Sequence, residues 1–457
     1  MADRMMDSRT SEPAVSGGSG RALAPGPRGI GAIRILGDFG RDAAGTLADL
    51  SQRYGDVSQF RVLGRLNTLV RHPEDIRTVL IDHGADTRKG AVYDAYRPVI
   101  GDGLLTSDGE TWAVSRAIAQ PSFRGTQLRA FATLTANRAE SAVEQWSRQP
   151  GRIDLAEAFR TLTFDIVASA LFSSRLTETD RAEMFESLDA ANEAGTSRIR
   201  SPLKLPLGWP SPGNRAYRRV VARLDAIIGR LIEERRAQGP AGGDYLDALL
   251  EADAAGRIAA RMVRDQVVTF LFAGHETTSN ALSWTCHLVS LHPQWAVRIA
   301  AEAAEHGSER AENPGDPETL PIAAAVFREA MRLYPPIYAI QRRADRALRI
   351  RDWEVPAGTG ITVSPYATHR HPDFWPEPER FRPERFLDPA EAEGRPRMAY
   401  IPFGAGPRTC IGANFAMVEG VIVLSRLLEK LTLAPEPGHE VRTVSLISLA
   451  PAGGLPL

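Results

Sequence analysis

Phe403-Gly404-Ala405-Gly406-Pro407-Arg408-Thr409-Cys410-Ile411-Gly412 is the most specific stretch of this chain. One cysteine stands among glycines just ahead of a run with helical periodicity, Asn414–Leu431. Glycine has no Cβ, so the backbone can approach a flat ligand closely here. The N–H groups that open a helix favour an anion and are expected to pull the thiol pKa down. A thiolate held in this way is a good iron ligand. An isolated cysteine is more often a buried, inert hydrophobe, but ten residues in this arrangement argue against that for Cys410. The only other cysteine is Cys286, so there is no disulfide framework and no multi-cysteine zinc site.

The second informative stretch lies upstream. Apolar periodicity predicts one helix from about Ala259 to Leu291, far longer than the average and able to cross a whole domain. Its middle reads Ala273-Gly274-His275-Glu276-Thr277-Thr278. Glycine costs about 1 kcal/mol of helix propensity at such a site, and Thr277 can bond back to a carbonyl and loosen the ladder. Taken alone, the cluster reads as a packing glycine beside a solvent-facing glutamate.

The remainder fits around these two. Residues 1–28, rich in Ser, Gly and Pro and ending Ala24-Pro25-Gly26-Pro27-Arg28, are expected to form a disordered leader closed by a proline hinge, with the folded domain at 29–457. A helix to Tyr54 and a hairpin over Val57–Leu63 and Leu66–Val70 follow. Helical periodicity then runs from Trp112 to Arg310, with expected breaks at 172–180, 193–216 and 237–243. Beyond Pro335 come short strands, proline-rich coil and the last helix. The chain is thus mainly α with a small β part, in one domain. Its 457 residues are 43% hydrophobic and 24% charged with a net charge of −1, which excludes a disordered chain and a protein built around nucleic acid. Of 55 basic residues only Lys89, Lys204 and Lys430 are lysine. No apolar run approaches the ~20 residues of a membrane span and no signal peptide is visible, so the expected location is cytoplasmic and soluble.

The Cys410 segment resembles the haem-binding loop of the cytochrome P450 family, Phe-x-x-Gly-x-Arg-x-Cys-x-Gly, with Phe403, Gly406, Arg408, Cys410 and Gly412 at every specified position. Other family landmarks follow in order along nearly the whole chain. Glu329-Ala330-Met331-Arg332 is similar to the Glu-x-x-Arg helix, with Arg385 of Pro383-Glu384-Arg385-Phe386 as its third member. Trp112-Ala113-Val114-Ser115-Arg116 resembles a Trp-x-x-x-Arg helix that reaches a haem propionate, and i, i+4 spacing puts both side chains on one face. Ala273–Thr278 resembles the oxygen-activation motif.

The resemblance implies a cytochrome P450 fold with a long central helix over haem b. It makes Cys410 the axial iron ligand and places Phe403 and Gly404 against the macrocycle. Trp112, Arg116, Arg342 (with Arg343 as rival) and Arg408 would hold the propionates. Glu276 and Thr277 would be the acid–alcohol pair that brings two protons to bound dioxygen, and Gly274 would keep the helix clear of it. His275, at the motif's unspecified position, reads as a packed histidine. The implied activity is a monooxygenase inserting one atom of O2 into a hydrophobic small molecule, a fatty acid first, then a terpenoid or polyketide. The substrate would be bounded by Gly90–Thr106, 193–213, Val267–Gly274, Pro335–Ile340 and Ser445–Ile447. Electrons would come from a separate ferredoxin and NAD(P)H ferredoxin reductase, or a flavodoxin-type donor, since no flavin or iron–sulfur motif is present. The alternatives are a peroxide-driven peroxygenase or decarboxylase, which generally replaces the acid–alcohol pair, and a non-catalytic haem sensor, which would not need it.

Overall fold

The computed structural model describes residues 23–62, 64–148, 151–173, 177–200, 208–209, 211–306 and 318–457. The expected leader lies mostly outside them. What is described of its end is seated on the sheet: Ala24 is buried, its N–H donates to Gln59 Oε1 (2.8 Å), and Gln59 N–H donates to the Pro25 carbonyl (2.9 Å).

The helices that build the site are α1 (Ile30–Arg41), α2 (Ala43–Tyr54), α3 (Ala91–Ile100), α4 (Gly109–Ala119), α5 (Thr126–Ser147), α6 (Leu155–Phe172), α7 (Glu178–Arg200), α8 (Pro212–Gln238), α9 (Ala260–Leu291), α10 (Pro321–Leu333) and α11 (Ala413–Lys430). Strands β1 (Val57–Val62), β2 (Arg65–Val70), β3 (Thr87–Lys89), β4 (Ile340–Ala344) and β5 (Gly360–Val363) form one sheet in the order β1-β2-β5-β4-β3. β2 and β5 are parallel and the other pairs antiparallel. β6 (Arg442–Ser445) and β7 (Leu449–Ala452) make a separate hairpin.

α9 is the expected long helix to within one residue, and most of its residues are buried. It packs along α6. Gly274 makes that approach possible, because a Cβ there would lie 2.8 Å from Val167 Cγ2. Packing against the neighbouring helix is thus one reason for glycine here, besides the room for bound oxygen that the motif implies at a residue bordering the cavity. Two side chains of α9 hold the hairpin, Asn280 donating to Ser448 Oγ (2.9 Å) and Trp284 Nε1 to the Leu449 carbonyl (2.9 Å).

The expected break at 193–216 is too long. α7 continues to Arg200 and α8 starts at Pro212. Tertiary contact outweighs the weak local propensity: a Cβ at Gly195 would lie 2.3 Å from Tyr96 Cε1, so α7 rests directly on that ring. α1 has no counterpart in the expected elements. On the other side of the core, Glu329 and Arg332 of α10 form a fully buried pair (2.7 and 2.8 Å), and Arg385 Nε lies 3.5 Å from Glu329.

Candidate active site

Cys410 sits in a loop shaped by two left-handed glycines, Gly404 (φ 71°) and Gly406 (φ 75°). A Cβ at Gly406 would meet the Leu80 carbonyl oxygen at 2.4 Å, so this glycine is needed for packing as well as for its turn. Cys410 N–H donates to the Phe403 carbonyl (2.9 Å) and closes the loop just before α11. The loop faces a cavity of about 1050 Å³, and Cys410 is exposed on its wall although deep in the molecule. Burial pushes the Cys410 thiol above its ordinary value, against the opposite pull of the Gly412 N–H and the Arg116 charge. This corrects the expected lowering by the helix start: those donors alone do not outweigh desolvation. Cys286 is fully buried on α9, away from the cavity, and burial raises its thiol too.

A group of cations stands near the loop. Arg116 of α4 donates to the Thr409 carbonyl (2.7 Å). Arg408 pairs with Asp108 and lies over the Trp112 ring, 5.4 Å from its centroid. β-pairing sets Arg342 opposite Lys89. Arg342 is buried and Arg343 exposed, and both border the cavity. Lys89 donates to the Leu104 carbonyl (2.6 Å). Its pKa is pushed down to about 7, by burial first and then by Arg408, Arg342 and Arg97, with Asp108 opposing them. Lys89, Trp112, Arg116, Arg342 and Arg408 all border the cavity. Lys89 and Asp108 were not anticipated from the sequence, although a lone lysine in an arginine-rich chain was a usable signal.

α9 contributes Phe270, Phe272, Gly274, Glu276 and Thr277 to the same cavity. Thr277 Oγ1 donates to the Ala273 carbonyl (2.8 Å), the back-bond its position suggested, and the helix runs on unbroken. Glu276 does not face solvent. Its Oε1 accepts from Asn192 Nδ2 (2.9 Å) and Ser448 Oγ (2.6 Å). Burial raises its pKa, and these two donors pull the other way. His275 is packed as expected, its Nδ1 2.7 Å from the Leu271 carbonyl and its pKa pushed down to about 4 by burial.

Of the expected substrate-facing segments, Gly90–Leu105, α9, Pro336–Ile340 and Ser445–Ile447 reach the cavity, whereas Tyr96 and Val99 are core residues. From 193–213, Thr196 is the residue that reaches it among those described. Phe39, Leu47 and Phe60 near the start of the chain also line it and were missed.

The residues present fit haem. A thiol opens onto a large apolar cavity beside an excess of positive charge suited to two carboxylates. The family model of cytochrome P450 matches residues 25–451. The chain belongs to the cytochrome P450 family. As a cytochrome P450 it is a haem-dependent monooxygenase. It is similar to cyclooctat-9-en-7-ol 5-monooxygenase of Streptomyces melanosporofaciens, at 35% identity over 84% of each chain. The same organism's cyclooctatin synthase is 31% identical over 87% of each. Among solved structures, a retinoic acid-bound cyanobacterial CYP120A1 superimposes with a TM-score of 0.82 at 25% identity, covering 96% of this chain and 99% of that one. The P450 fold expected from the motifs, mostly helical with small sheets, is the one observed.

Proposed function

We propose that this P450 inserts one atom of O2 into a C–H or C=C bond of a cyclic terpenoid lipophile, using haem b and electrons from a separate ferredoxin or flavodoxin-type donor. The observation that carries the reading is that one cavity is bordered by the Cys410 thiol, the cation group, and the Glu276–Thr277 pair. The substrate class moves from fatty acids to terpenoids because a relative's name specifies an unsaturated cyclic alcohol oxidised at carbon 5. The apolar lining from Phe270, Phe272, Ile337, Leu446 and Ile447 suits such a skeleton.

In this reading Cys410 binds the iron, Phe403 and Gly404 lie against the macrocycle, and Trp112, Arg116, Arg342, Arg408 and Lys89 face the propionates. When bound, haem supplies the redox chemistry of dioxygen activation. The chain does the rest. Its cations neutralise and orient the propionates, and Thr277 presents a hydroxyl to the oxygen site. Glu276 exchanges protons between the interior and that hydroxyl. The apolar walls exclude water that would divert electrons to peroxide. Among the described residues no helix is long and apolar enough to cross a membrane. Two unbonded cysteines suit a reducing cytoplasm.

The test is turnover of cyclic terpene alcohols and alkenes, first screened for a low- to high-spin Soret shift, with a surrogate ferredoxin and reductase against peroxide alone. Product with the reductase pair supports the reading. Product with peroxide alone would put the peroxygenase reading first, and spin shifts without product in either arm would favour a sensor.

A further inference from the structure

Glu276 is held by more than its own helix. Its Oε1 takes one hydrogen bond from Asn192 on α7 and one from Ser448 in the turn between β6 and β7. Asn192 is buried, and its Oδ1 accepts from the Tyr96 hydroxyl on α3 (3.3 Å). That hydroxyl also bonds Thr196 Oγ1, one turn along α7 (3.0 Å). Ser448 is itself fixed by Asn280, one turn beyond Glu276 on α9. Each anchoring element also touches the cavity: Thr196 from α7, Val92 and Tyr93 from α3, and Leu446 and Ile447 beside Ser448. Two segments that border the cavity thus meet on one carboxylate oxygen, and a third, α3, reaches it through Asn192.

We propose that Asn192 and Ser448 are positioning residues for Glu276, which hold its carboxylate in the geometry for proton delivery. This rests on the reading of Glu276 as the proton carrier. The physical basis is direct. A carboxylate is acceptor-only, so the amide of Asn192 must present its NH2 and the serine its O–H. With Oε1 engaged twice, the carboxylate plane is fixed and Oε2 is left to exchange protons. Both donors favour the charged form in a site where burial disfavours it. Losing either donor frees the carboxylate to rotate while Glu276 stays on the same helix.

The experiment uses haem-loaded enzyme, a surrogate ferredoxin and reductase, and a terpenoid that gives a spin shift. Asn192→Leu, the near-isosteric Asn192→Asp and Ser448→Ala are compared with Glu276→Gln and the parent. Haem content, the reduced carbonyl spectrum and the substrate spin shift should be unchanged in all. Coupled turnover should fall about tenfold, in line with losing a hydrogen bond to a charged group, and the solvent deuterium isotope effect on kcat should rise. The pH profile of kcat should move upward, most for Asn192→Asp, which adds a like charge. Asp189 on α7 and Arg160 on α6 are the charged groups that also act on Glu276, and neither is altered. Ser448→Thr should restore the parent's isotope effect. If Glu276→Gln loses coupling while the Asn192 and Ser448 variants keep the parent's isotope effect and pH profile, the positioning role is overturned and the proton-carrier reading stands. If Glu276→Gln also turns over like the parent, both fall.

Discussion

At the scale of single residues the proposed site rests on a few polar atoms in an apolar cavity, and each can be removed alone. Cys410→Ser should abolish the red-shifted Soret band of the reduced carbonyl complex, whereas Cys286→Ser should keep it; a retained band in the first variant would end the assignment of the ligand. Lys89→Met and Arg116→Ala should each weaken haem retention, because a partly buried carboxylate loses a charge-assisted donor at a cost of about 1.5–3 kcal/mol. Haem titration of the apoproteins reads this, and parental affinity in both would show that the propionates lie elsewhere. Thr277→Ala should leave substrate binding intact while NAD(P)H consumption continues, product falls and hydrogen peroxide rises. Equal coupling in parent and variant would remove Thr277 from proton delivery. The places of Cys410, Glu276 and Thr277 on the cavity were legible in the sequence because each lies in a motif with fixed spacing, whereas Arg342 was read with Arg343 as its rival and both border the cavity. Asn192 and Ser448 were not, since they meet Glu276 across 84 and 172 residues and no local pattern marks such a meeting.

At the scale of elements, periodicity located α9 and α11 almost to the residue, because long helices with a buried face carry a strong repeating signal. It failed where a tertiary contact decides the outcome, as in α7 resting on Tyr96. The same lesson gives a test at the α6–α9 contact. Gly274→Ala adds helix propensity worth about 1 kcal/mol but drives a methyl into Val167. Overpacking of this kind typically costs about 1–3 kcal/mol, so the variant should be less stable than the parent. In a Val167→Ala background the clash disappears and the same substitution should stabilise. Urea unfolding of the four proteins measures the cycle, and no change of sign would show that Val167 is not what excludes a side chain at Gly274.

For the whole molecule, two buried histidines tie stability to pH. His275 and His369 are pushed down by burial to about 4 and about 3. His369 accepts the Ile401 N–H through Nε2 (2.9 Å), just ahead of the Cys410 loop, and a proton there would break that bond. Both histidines pick up protons near pH 6.5 when unfolded, so below that value the unfolded chain binds more protons than the folded one. Stability should therefore fall as pH is lowered from 6.5, by up to about 1.4 kcal/mol per unit for each histidine, levelling near pH 4 for His275 and near 3 for His369. His275→Leu should flatten part of that slope in urea midpoints taken between pH 7 and 4.5; an unchanged slope would sink the account. The two halves of the cation group also stand far apart in the chain: Arg116 meets Thr409 across 293 residues and Asp108 meets Arg408 across 300. At ribosomal speeds of about 5–20 residues per second, the early half waits roughly 15–60 s for the late half to emerge. Throughout that interval the cavity's apolar walls lack their partners. Capture of the prosthetic group therefore has to wait until the Arg408–Cys410 segment has emerged from the ribosome.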